Sequence, residues 1–319
     1  MEYLDSRILS YRPHAAIRLQ DHINEYQLFR LDPKCDSKCI GHVMALLSKT
    51  KCTNVSLLAS LKIVEARCDG YDHVSAHSIG HIGETIDDPG LMPEEMVEED
   101  SEAYTDSNSF NHSTERILQY KNVIWNLDRI DQVATSLDKK LDLSCFPRLG
   151  GGVFLYVLDS GCRISHIEFN GRVKGVRVGR YTTFEDGHGH GTHVSGTAAG
   201  NTYGLCKKCT VFCVKTLDED NRGSLTDVLN SVDWVIHHRQ AHPANSAVAV
   251  LSLGARAETD LLDLAMKDLL NANIIPVVAA GNGKDDACAW TPARSENVIT
   301  VAASTSHDLT RWSSNGGDA

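Results

Sequence analysis

Apolar positions in the second half of this chain come in two kinds of run that alternate. Val153 to Leu158 is an unbroken apolar block, and Val211 to Lys215, Val248 to Leu253, Ile274 to Ala280 and Val298 to Ala302 are similar short blocks. Runs of this length bounded by turn residues predict strands buried on both faces. Between them, Leu225 to His237 sets Leu225, Val228, Leu229, Val232, Val235 and Ile236 along one face of a helix. Thr259 to Asn271 predicts a second amphipathic helix, stopped before Pro276. Strands alternating with helices predict an α/β fold, a doubly wound and mostly parallel sheet with helices on both faces.

The first half reads differently. Ile40, Val43, Met44 and Leu47 recur at helical spacing and predict a helix over Cys39 to Lys49. Thr105 to Thr114 is polar, rich in Ser and Asn, and reads as an exposed connector. We therefore expect two units, residues 1–110 as a small α+β region ending in an acidic tail, and 111–319 as the α/β unit.

Composition changes that picture little. A hydrophobic content of 42% is ordinary for a globular protein. The net charge of -11 argues against a nucleic-acid binder, and ten acidic residues without a Lys or Arg fall between Glu84 and Asp106. No apolar run approaches the roughly 20 residues of a membrane span, and the start lacks the pattern of a secretory leader. Ten cysteines, with the sequons Asn54-Val55-Ser56 and Asn111-His112-Ser113, fit an oxidising compartment. The expectation that reconciles these features is a sequence incomplete at its beginning and at its end.

The candidate chemistry centres on Asp186 to Thr197. Gly191, Thr192, Ser195 and Gly196 surround a helix start, where small neighbours let a histidine ring sit at the rim of a cleft as a general base. A lone histidine there is more often an ordinary one, but His190 has company. The strand block ending at Leu158 delivers Asp159 to the carboxyl edge of the sheet, and the block ending at Ala280 delivers Asn282, held between Gly281 and Gly283. His188, His190 and His193 also admit a metal-binding reading. Cys206-Lys207-Lys208-Cys209 supplies only one of the two pairs that a structural zinc site commonly uses.

The segments YVLDSG, HGTHVSGT, LSLG and VVAAGN, in that order, resemble the subtilases, and among them the proteinase K-like branch. The resemblance runs from about Trp125 to Ser314. It implies a serine endopeptidase in which Asp159 orients the imidazole, His190 is the base and Asn282 donates to the oxyanion. These side chains are then expected within direct hydrogen-bond reach, Asp159 to His190. It further implies that an extended polypeptide substrate lies between Gly223-Ser224-Leu225 and Ser252-Leu253-Gly254, with Ala255-Arg256 standing where glycine is common. Trp125 to Ile130 resembles the opening of the mature enzymes, and Asp87 to Tyr104 the last strand of a propeptide. The N-terminal region is thus implied as a propeptide-like partner in a secreted or lumenal protein. Cys206 and Cys209 are implied as buried thiols or a disulfide, and calcium as a cofactor the family leaves room for, while Cys162, immediately after Asp159-Ser160-Gly161, is expected to pack under the site.

One part of the pattern is absent. The family's nucleophile lies in Gly-Thr-Ser-Met-Ala, and no Gly-Thr-Ser occurs in this sequence. The chain as written is therefore expected to be inactive, with its serine in a missing C-terminal part. The rival expectation is a non-catalytic binding protein that keeps the cleft.

Overall fold

The computed structural model describes residues 18–19, 26–31, 34–49, 52–68, 82–87, 92–93, 118–256 and 260–317. The expected boundary at residue 110, the connector around it and most of the acidic tail lie outside these.

The N-terminal strands are β1 (Arg18–Leu19), β2 (Tyr26–Leu31), β3 (Cys52–Leu58), β4 (Ile63–Cys68) and β5 (Ile82–Asp87), with helix α1 (Ser37–Lys49) after β2. They form one sheet in the order β1-β5-β2-β4-β3. Val43 and Leu47 of α1 bury against Leu31, Val64 and Ala66, and a disulfide joins Cys35 to Cys39 at the start of α1. Two residues further on form β6 (Met92–Pro93).

Then follow β7 (Gln119–Lys121), α2 (Trp125–Arg129) and β8 (Lys140–Asp142), a hairpin and a short helix around Leu127 and Leu141. The main sheet comprises β9 (Val153–Asp159), β10 (Val173–Arg177), β11 (Thr210–Lys215), β12 (Ser246–Leu251), β14 (Ile274–Ala279) and β16 (Ile299–Val301). All six are parallel, in the order β10-β11-β9-β12-β14-β16. The alternation of side chains along β9 explains the layering. Leu155 and Val157 bury with α3 (His190–Ala199) on one face. Tyr156 and Leu158 bury on the other, against α4 (Leu225–Ala241), and the same core continues to α5 (Leu261–Asn271). This is the doubly wound α/β arrangement of the sequence reading.

Two boundaries differ from expectation. The block Val248 to Leu253 is not one strand: after Ser252 the chain leaves the main sheet as β13 (Leu253–Arg256), which pairs antiparallel with β15 (Trp290–Thr291) on one edge and with β6 on the other. Helix α4 continues past His237 because nothing breaks it before Pro243, and the residue preceding a proline disfavours the helical region. Its first turn is closed by a capping box, in which Ser224 Oγ accepts from the Asp227 amide at 3.1 Å and Asp227 accepts from the Ser224 amide at 2.9 Å.

The N-terminal sheet rests on α4 and α5. Leu28, Leu58, Leu61 and Ile63 share the core of those helices. The Ser60 amide donates to Asp233 at 2.7 Å, and Arg30 lies 3.5 Å from Asp268.

Candidate active site

Strand β9 ends in Asp159, a fully buried carboxylate whose Oδ1 lies 2.7 Å from His190 Nδ1 and accepts from the Ser160 amide at 2.7 Å. A carboxylate only accepts, so Nδ1 is the ring nitrogen that donates in this pair. Asp159 Oδ2 is buried with no hydrogen-bond partner among the described residues.

This contact needs α3 to start against the strand end. Gly191 allows it: a Cβ there would stand 2.2 Å from the Gly161 carbonyl and 3.1 Å from Asp159 Cβ. Gly189, just before the helix, adopts φ 102°, which a side chain would resist. Asp186 then ties the helix to the strand. It accepts from the Gly189 amide at 2.7 Å, the Thr192 amide at 2.8 Å, the Thr192 hydroxyl at 2.5 Å and the Ser160 hydroxyl at 2.8 Å. Burial works against its charge, but those hydrogen bonds outweigh it and hold the carboxyl below its ordinary range. Lys215, also buried, donates to the Ser160 carbonyl at 2.7 Å and the Glu185 carbonyl at 2.9 Å. Burial pulls its pKa down, against the opposing pull of Asp186, Glu219, Asp218 and Asp159.

Beneath α3, Cys162 and Cys213 form a disulfide, and the Ser195 hydroxyl lies 3.1 Å from one sulfur and 3.2 Å from the other. Ser195 is wholly buried among them. Cys206 and Cys209 are also bonded to each other. His188 and His193 are exposed, and among the described residues no three His, Cys, Asp or Glu side chains gather as a metal site.

Asn282 stands beyond the end of β14, two strands from β9 in the sheet order, half-buried after Gly281 at φ 104°. Its turn is laced by a buried residue that sequence reasoning missed. Asn315 donates to the Ala280 carbonyl at 2.9 Å and accepts from the Asp285 amide at 2.9 Å, while its own amide donates to Gly281 at 2.7 Å. Of the two expected substrate walls, Gly223 and Leu225 are buried and Ser224 caps α4. Ser252 precedes β13, whose Leu253 and Gly254 pair with Pro93 and Met92. Sequence spacing carried a signal for Asp186, which sits a helical turn before His190, and none for Asn315 or the Cys162–Cys213 pairing.

The Subtilase family matches residues 150–319. An extracellular serine proteinase of Thermus sp. (strain Rt41A) is 42% identical over 195 residues, 60% of this chain and 46% of that protein. The subtilisin-like serine protease Pen ch 18 of Penicillium rubens is 35% identical over 258 residues, 77% of this chain and 50% of that one. The chain thus spans about half the length of the relatives it matches. Among solved structures, a cold-adapted subtilisin-like serine proteinase superposes with a TM-score of 0.55 at 35% identity, covering 62% of this chain and 70% of its own.

Proposed function

The chain belongs to the subtilase family, and from that premise we propose that it carries the acid–base and oxyanion parts of a serine endopeptidase of the proteinase K-like branch. The observation that supports this most is the 2.7 Å contact between His190 Nδ1 and Asp159 Oδ1 at the carboxyl edge of the sheet. With Nδ1 protonated, Nε2 takes the proton from an attacking hydroxyl and later returns it to the leaving amine, and Asp159 stabilises the imidazolium formed between. Asn282 donates to the carbonyl oxygen as it gains charge, a donor whose removal costs on the order of 3 kcal/mol in the transition state. The polypeptide lies along Ser252-Leu253-Gly254, with Gly223-Ser224-Leu225 opposite, so that main-chain bonds give affinity and side-chain recesses give preference.

The nucleophile of this reading is not among the 319 residues, since none lies in a Gly-Thr-Ser setting. An open part of the sheet favours a further element over a bare binding protein: Ile275, Ile299 and Val301 are 47%, 55% and 52% exposed, on the face that α3 covers elsewhere. Residues 1–110 serve as a propeptide-like partner, whose described strands β2, β3 and β4 share the core of α4 and α5. The disulfides suit a secreted protein, and no helix among the described residues is long and apolar enough to cross a membrane.

A fluorophosphonate that labels activated serines tests the proposal, applied to residues 1–319 and to the longest natural form of the protein. The long form is expected to label, to lose labelling with His190→Ala, and the 319-residue chain to stay unlabelled. Labelling of the short chain that His190→Ala abolishes would make one of its own serines the nucleophile. No labelling of any form would leave the binding protein as the function.

A further inference from the structure

Strand β13 presents Leu253 and Ala255 to the core and Gly254 and Arg256 outward. Arg256 does not point freely into solvent. Its guanidinium lies 2.5 Å from Asp285 Oδ2 and 5.6 Å from the centre of the Trp290 ring, the residue directly opposite it in β15. Trp290 in turn donates its indole N–H to Asp285 at 3.2 Å. Asp285 follows Asn282 by three residues, and a Cβ on Gly283 would sit 3.7 Å from Trp290 Cζ2 and 3.8 Å from Asp285 Cβ. The three side chains therefore join β13 to the turn that follows Asn282.

Resting on the peptidase reading above, we propose that Arg256 and Asp285 form a charge-balanced clasp over the Trp290 indole that sets the side-chain preference of the site. The carbonyl polarised at Asn282 fixes where the residue on its acyl side must sit, and on this proposal its side chain lies beside Gly254, Gly283 and Trp290, with Gly283 close to the indole and Gly254 close to the Thr291 carbonyl. An indole ring and a pair of cancelling charges border that place, so it takes an uncharged, apolar side chain. A Lys, Arg or Glu entering it meets the partner of its own charge already engaged. The Asp286 amide, the indole N–H and Arg256 together keep Asp285 ionised well into acid, so the balance holds across the neutral range. The pair is partly exposed, with Arg256 two-thirds open, so an unbalanced charge acts here through screened solvent.

The test uses the form of the protein that labels with the fluorophosphonate in a His190-dependent way. kcat/KM is measured for peptides differing only in the residue before the scissile bond, Leu, Phe, Lys or Glu, at low salt. The parent is expected to prefer Leu and Phe. Arg256→Ala, which frees Asp285, should raise the Lys-to-Leu ratio about tenfold, and Asp285→Asn, which frees Arg256, should raise the Glu-to-Leu ratio about tenfold, both shrinking as salt rises. The swapped variant Arg256→Asp/Asp285→Arg keeps the pair and should return both ratios toward the parent, which guards against single variants that fold poorly. A labelled enzyme whose ratios stay put in every variant overturns the clasp while leaving the peptidase reading intact. If no form labels, the peptidase reading fails and the clasp falls with it.

Discussion

The two sides of the cleft are built from the same part, a parallel strand that ends in a glycine turn, but they are fixed by different means. On the side of Asp159 and His190 the support is buried and partly covalent: Gly191 against Gly161, Asp186 across the start of α3, and the Cys162–Cys213 bond beneath. On the side of Asn282 the support is a set of single hydrogen bonds from Asn315, together with the surface pair Arg256–Asp285. In the proposed mechanism the side that holds the proton-transfer geometry is locked by buried contacts and a covalent bond. The side proposed to receive substrate is laced by residues that can be altered one at a time.

The largest expected effect tests the locked side. The Cys162–Cys213 bond closes a loop of sequence separation 51, for which chain entropy alone assigns about 4 kcal/mol. The double substitution Cys162→Ala/Cys213→Ala should lower the urea-unfolding free energy by that order, and an unchanged midpoint would show that the other buried contacts already fix β11 and the start of α3. Next comes Asn315→Ala, which strands the buried Ala280 carbonyl and the Asp285 amide. A cost of about 1–3 kcal/mol is expected, with faster amide exchange over 281–286 and little change in the low-field proton resonance of His190. If that resonance also shifts, the two sides are not independently supported.

The smallest effect concerns acid. Asp186 has its pKa depressed in the fold, so its stabilisation is complete above the ordinary carboxylate value of about 3.9 and is lost as pH falls through the lower folded value. Asp186→Asn should therefore flatten the acid limb of a thermal-midpoint profile below about pH 4 while lowering the plateau above it. A profile parallel to the parent would mean that other carboxylates control the acid limb.

Much of the fold was legible because burial on both sides of a parallel strand leaves a blunt mark. The run Val153 to Leu158 announces β9 whatever lies around it, and the face of α4 is spelled out by Leu225, Val228, Leu229, Val232, Val235 and Ile236. Strand β10 escaped notice since Val173-Lys174-Gly175-Val176-Arg177 is an edge strand carrying charges on its open side. The split at Ser252 escaped too, because a run of apolar residues does not say which sheet each belongs to. Around the site, Asp159 and His190 stand at element ends that local pattern can place. The lacing by Asn315 joins residues 30 and 35 positions apart, and the pairing of Cys162 with Cys213 is one of many that ten cysteines allow.

The two rims of the main sheet have an outcome for how copies of the 319-residue chain meet. The β10 rim shows exposed Lys174 and Arg177, which repel an incoming strand, whereas the β16 rim shows Ile299 and Val301 and no charge. Of these two rims, the β16 one is then the more open to strand addition. A pair joined β16 to β16 would turn the charged β10 rims outward, so the main sheet would be expected to extend no further than two copies.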